Sequence, residues 1–119
     1  MADQQLTDQE LTPAQVARLG DAQLVDVRTI PEYEAGHLAG SQHAQLEQVQ
    51  RLAAELDRGR PIVFYCRVGE RSALAAEAFR AAGWDAYTMT GGLMAWADEK
   101  RPLEPEGGTV AQHSSIPDF

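Results

Sequence analysis

The chain has 119 residues, 44% of them hydrophobic and 24% charged, which suits one compact globular domain. Its net charge of -8 argues against nucleic acid or an anionic membrane surface as a partner, because neither attracts an acidic chain. One cysteine excludes an internal disulfide and is too few for a cysteine zinc site, and His37, His43 and His113 show no ligand spacing, so no metal is expected.

Residues 1–8 read as a loose polar terminus, followed by a short edge strand from Gln9 to Leu11. That polar, acidic start is unlike a signal peptide, and no stretch is long enough to cross a bilayer. A reducing cytoplasm, where a single thiol stays free, is the expected compartment. Thr12-Pro13 opens a first helix, with Val16 and Leu19 on its apolar face and Gly20 as its stop. Leu24-Val25-Asp26-Val27 reads as a buried strand, and a loop rich in turn formers follows from Arg28 to Gln42.

Leu46, Val49, Leu52, Ala53 and Leu56 fall at helical spacing and predict a helix from Leu46 to Arg58. Pro61-Ile62-Val63-Phe64-Tyr65 is nearly all apolar, as expected of a central strand buried on both faces. Residues 66–71 read as a polar loop, and Ser72 to Ala82 as a helix with Leu74, Ala75, Ala78 and Phe79 inward. Asp85 to Met89 is a last short strand. Gly91-Gly92 turns into a helix carrying Leu93, Met94 and Trp96, of which Met94 and Trp96 are expected in the core. From Pro102 the composition predicts a loose arm. Alternating strands and helices imply a parallel sheet covered on both faces. The expected division is an N-terminal segment (1–11), a domain (12–101) and a tail (102–119).

The segment that carries chemistry is Cys66-Arg67-Val68-Gly69-Glu70-Arg71-Ser72, between a buried strand and a helix. Ligands of open α/β sheets bind beyond the carboxyl ends of the strands. A loop there turns backbone N–H groups inward and the next helix adds its positive end, which together hold an anion. Gly69 allows a tight curl, and Arg67 and Arg71 offer forked donors for sulfonate, sulfate or phosphate oxygens. Such an electropositive surround suits a sulfur nucleophile, which reacts as the anion. A cysteine at a strand end can also be a small buried hydrophobe, and nearby arginines can be surface charges. The glycine, the two arginines and the strand–loop–helix context together favour a site.

Four stretches resemble the single-domain rhodaneses, the thiosulfate sulfurtransferase family. Leu24 to Arg28 resembles its first buried strand with an Asp-x-Arg signature. Glu32 to Ser41 resembles its Glu-Tyr-x-x-Gly-His-Ile-Pro-Gly-Ala stretch, with Ala39 in the usual proline position. Cys66 to Ser72 resembles its Cys-Arg-x-Gly-x-Arg-Ser loop, and Gly91 to Trp96 its Gly-Gly-x-x-x-Trp stretch. The resemblance implies an α/β three-layer sandwich, with a five-stranded, mainly parallel sheet flanked by helices on both faces.

It also implies roles. Cys66 would take the outer sulfur of thiosulfate as a persulfide and pass it to cyanide, a thiol or a protein acceptor, with no cofactor beyond that covalent intermediate. Arg67, Val68, Gly69, Glu70, Arg71 and Ser72 would bind the substrate, the arginines taking sulfonate oxygens. Asp26 and Arg28 would support the scaffold, and His37 would make a fixed hydrogen bond. Glu70 is a negative charge among these residues, and facing the mouth it would disfavour thiosulfate. A phosphatase or arsenate reductase on the same fold would use a loop one residue longer between cysteine and arginine. A rhodanese-like sulfur carrier or protein-binding module stays open as an alternative.

Overall fold

Ile62 to Tyr65 is apolar throughout because both of its faces are covered. In the computed structural model, which describes residues 9–111, it forms β4 (Ile62–Tyr65), and all four residues are buried. β2 (Gln23–Asp26) lies on one side of it and β5 (Ala86–Met89) on the other, both parallel to it. β3 (Gln42–His43) extends the sheet beyond β2, and β1 (Glu10–Leu11) forms the opposite edge beside β5. The order is β1-β5-β4-β2-β3, and all four strand pairings of this sheet are parallel.

Strand alternation divides the core into two layers. Ile62, Phe64 and Cys66 face one side with Val25, Val27, Val49, Ala75, Ala76 and Phe79. Val63 and Tyr65 face the other with Val16, Leu38, Met89, Leu93 and Trp96. The first layer is covered by α3 (Val49–Leu52) and α4 (Glu70–Ala81), the second by α1 (Pro13–Arg18) and α5 (Gly92–Asp98). Thr12 caps α1 in a reciprocal capping box with Gln15 (3.1 and 2.8 Å).

Several expectations need correction. The loop from Arg28 to Gln42 contains α2 (Ile30–Ala35), nucleated by a capping box between Thr29 and Glu32. The expected helix from Leu46 to Arg58 is a short α3 between 3₁₀ turns at Leu46–Gln48 and Ala53–Glu55. It stops early because the Gln23 side chain donates to Asp57 O (2.8 Å) and accepts from Asp57 N (2.7 Å), holding that backbone out of the helix. α4 starts at Glu70, not Ser72, and buries Ser72, Ala75, Ala76 and Phe79, leaving Leu74 59% exposed and Ala78 exposed.

The tail is not loose where it is described. Trp96 Nε1 donates to Pro102 O (2.8 Å), His37 and Glu104 exchange backbone hydrogen bonds (2.8 and 2.7 Å), and Thr109 N donates to Ala35 O (2.8 Å). Leu103 and Val110 pack on the second core layer, which is why this segment lies down without regular structure. Residues 1–8 and 112–119 lie outside the described residues.

Candidate active site

Asp26 and Tyr65 stand opposite each other at the carboxyl ends of β2 and β4, so the residues that follow both strands emerge at one edge of the sheet. Cys66 is the first residue after β4 and is fully buried. Its Sγ accepts the backbone N–H of Gly69 (3.1 Å) and of Ser72 (3.4 Å). Ser72 Oγ lies 3.5 Å from the sulfur and 2.6 Å from Thr88 Oγ1. Sulfur therefore sits in a polar nest at the floor of the loop, within the first core layer.

Two features shape that nest. Gly69 takes φ +110°, a left-handed conformation that suits glycine, and it turns the chain directly into α4. Behind the loop, the start of α5 donates from Leu93 N to Cys66 O (2.8 Å) and from Met94 N to Arg67 O (3.0 Å). In a trans peptide the N–H points opposite to the C=O. Pinning these two carbonyls toward α5 therefore turns the N–H groups of Arg67 and Val68 away from it. Gly92 permits this closeness, since a Cβ there would stand 2.5 Å from Arg67 O.

A cleft of roughly 350 Å³ opens above the sulfur, lined by Cys66, Arg67, Val68, Glu70 and Arg71. Val68 is 43% exposed at its lip, and Glu70 is exposed in the first turn of α4. Arg67 Nε is buried without a hydrogen-bond partner among the described residues. Arg71 pairs through Nη1 and Nη2 with the two carboxylate oxygens of Glu32 (2.8 and 3.0 Å). Glu32 is fully buried, and its Oε1 also accepts from Thr29 N (2.9 Å) and Thr29 Oγ1 (3.0 Å).

Burial alone would raise the Glu32 pKa. The hydrogen bonds and charge of Arg71, with the Thr29 donors, outweigh it and hold the carboxyl down to about 2. The same pairing raises Arg71 above its ordinary value. A depressed carboxyl stabilises the fold fully above its unfolded value of 4.5, and that contribution disappears as pH falls toward 2. The loss expected over this window is roughly 3 kcal/mol. In urea unfolding at stepped pH, the stability gap between wild type and Glu32→Gln should narrow through that window. A gap that stays constant down to pH 2 would refute the assignment.

Asp26 and Arg28 form a fully buried ion pair below this edge (2.6 Å), and Arg28 Nη2 also donates to Gly36 O (2.7 Å). The pair thus ties the end of β2 to the turn after α2. His37 stacks on Tyr33 at 3.8 Å, and its Nδ1 lies 2.7 Å from Tyr33 O, so that nitrogen carries the proton. Trp96 packs in the second layer, while Met94 is only half-buried. Glu32, Thr88 and Gly92 were not expected to act at the loop. Gly92 lies in the Gly91-Gly92 turn and Glu32 in a Thr29-x-x-Glu32 capping pattern, but those signals predict a turn and a helix start and say nothing of contact with the loop or with Arg71.

A model of the rhodanese-like domain matches residues 12–99. The chain belongs to the rhodanese-like domain family. It is 36% identical over 93 residues to thiosulfate sulfurtransferase GlpE of Pseudomonas aeruginosa, covering 76% of this chain and 84% of that protein. It is also 36% identical over 76 residues to uncharacterized protein YqhL of Bacillus subtilis, covering 63% of this chain and 60% of that relative, less than two thirds of its length. A solved rhodanese-related protein from Thermoplasma volcanium shares the fold, with a TM-score of 0.77 over 82% of this chain and 99% of that one at 24% identity. The rhodanese-like family supports sulfur transfer as the general chemistry, with a sulfur donor and an acceptor as partners. Among the described residues no helix is long and apolar enough to cross a membrane.

Proposed function

We propose that this rhodanese-like domain is a thiosulfate sulfurtransferase that carries sulfur on Cys66. The observation that supports it most is the amide nest: Gly69 N and Ser72 N already point at Sγ below an open cleft. The Cys66 thiolate attacks the outer sulfur of thiosulfate. A new S–S bond forms as the old one breaks, and its electron pair leaves with sulfite. The product is an anionic persulfide, and donors aimed at such charge stabilise it. Cyanide or a thiol then takes the outer sulfur and regenerates the thiolate. A reducing compartment such as the cytoplasm keeps the thiol free for each cycle.

Arg67 lies on the approach, and the N–H groups of the loop stabilise charge on the incoming sulfonate. Arg71 differs from a free anion-binding arginine, since both of its terminal nitrogens already face Glu32. It lines the cleft while staying locked in place. The shorter loop and the committed Arg71 both count against a phosphatase.

The test mixes the protein with thiosulfate and cyanide and follows thiocyanate. In parallel, mass spectrometry asks whether thiosulfate adds one sulfur to Cys66. Both should be seen. Loading without turnover would make the protein a sulfur carrier, and absence of both would refute the proposal.

A further inference from the structure

The charges around the cleft cancel. Arg67 and Arg71 are its cations, but Glu32 holds Arg71 through both terminal nitrogens, and Glu70 stands among the lining residues. Two guanidinium groups therefore meet two carboxylates before any guest arrives. A second groove, which shares Val68 and Glu70 with the cleft, is also lined by Glu10, which adds another carboxylate near the loop. The chain as a whole carries -8. At the lip, Val68 offers an exposed apolar contact, which an inorganic oxyanion cannot use.

We propose that Glu70 is a specificity-determining residue that shifts donor preference away from a small inorganic dianion and toward a singly charged, organic sulfane donor. The proposal rests on the sulfurtransferase reading for its donor, though the charge selectivity itself can be measured without turnover. Repulsion from Glu70 scales with the charge of the guest. A dianion therefore pays it twice, and removing it should improve dianion binding by the square of the factor gained by a monoanion. Glu70 is exposed and borders the open cleft, so the factor is about two- to threefold per unit of guest charge.

The donor step balances for either class. With methanethiosulfonate, the Cys66 thiolate forms a bond to the terminal sulfur, the S–S bond breaks, and its electron pair leaves with methanesulfinate. With thiosulfate the same pair leaves with sulfite. The two donors share the transferred sulfur and two sulfonyl oxygens, and differ in that a methyl group replaces the third oxygen, which removes one unit of charge.

The experiment has a binding arm and a turnover arm, each on the full chain and on Glu70→Gln. In the first, the amide resonances of Gly69 and Ser72 are followed by NMR during titration with sodium sulfate or sodium methanesulfonate at constant ionic strength. The full chain should hold the two anions within about threefold of each other. Glu70→Gln should tighten methanesulfonate about two- to threefold and sulfate about four- to ninefold. Equal gains for both anions, no gain for either, or a wild type that already prefers sulfate by more than about tenfold would overturn the proposal.

The second arm compares kcat/KM for thiosulfate and methanethiosulfonate, where the same pair of ratios is expected. Charge-dependent binding with no loading of Cys66 by either donor would refute the sulfurtransferase reading and leave the role of Glu70 standing. Loading by both donors, with a donor ratio that Glu70→Gln does not change, would do the reverse.

Discussion

Asp26→Ala should cost about 3–5 kcal/mol of folding stability, the range for removing one partner of a buried ion pair. A domain of this size has roughly 5–15 kcal/mol in total, so the variant should sit near the limit of folding. Neither side chain of the pair is exposed. Asp26 accepts from Arg28 N (2.9 Å), from Nε (2.9 and 3.1 Å) and from Nη2 (2.6 Å). Nη1 has no hydrogen-bond partner among the described residues even now. Without Asp26, the guanidinium would keep Gly36 O and the Tyr65 ring, 5.8 Å from its centroid. The double variant Asp26→Asn/Arg28→Met buries no charge and should be more stable than Asp26→Ala. Urea unfolding of both proteins checks this, and a single-variant loss below about 1 kcal/mol would show that the pair is not what holds this edge.

Gly92→Ala should reduce sulfur transfer by about a hundredfold or more, the scale on which a displacement near 1 Å acts at a reacting centre. Gly92 has φ +63°, and an added Cβ would meet Arg67 O at 2.5 Å and Cys66 O at 2.6 Å. Those oxygens belong to backbone, so they cannot swing aside like a side chain. The loop would have to lift off α5, weakening the bonds from Leu93 N and Met94 N and disturbing the amides that reach the sulfur. Gly40→Ala is the matched control. Its φ is +78°, yet nothing lies within 4 Å of the added Cβ, so it carries backbone strain alone. That strain is about 1–2 kcal/mol, with activity kept. Thiocyanate formation and unfolding curves on both variants separate the two effects. If Gly92→Ala behaves like Gly40→Ala, the contact with α5 does not shape the loop.

The layers were legible because Ile62 to Tyr65 is apolar on both faces, as a central strand needs. The sulfur loop was legible because its charged residues and glycine are contiguous. Glu32 was not. It lies 39 residues from Arg71, and only the parallel packing of β2 beside β4 brings α2 to the start of α4. α2 itself was hidden by Pro31 and Gly36, which read as turn formers, although proline in a first turn suits a helix start. The end of the predicted helix at Arg58 failed for a tertiary reason, since the Gln23 side chain competes for the backbone of Asp57. The tail failed because Pro, Gly and Ser report the absence of regular structure and not the absence of anchoring.

That anchored segment decides where the chain can be cut. A fragment ending at Asp98, where α5 stops, would keep every residue of the sulfur loop. It would also uncover the apolar layer of Val16, Leu38 and Trp96 on which Leu103 and Val110 lie, and strip Ala35 and His37 of their backbone partners. The stretch shared with relatives, 12–99, is therefore shorter than the unit that shields its own core. That unit reaches back to Gln9, whose carbonyl accepts from Thr88 N (2.8 Å), and forward to Val110, so a fragment cut inside those limits should lose stability.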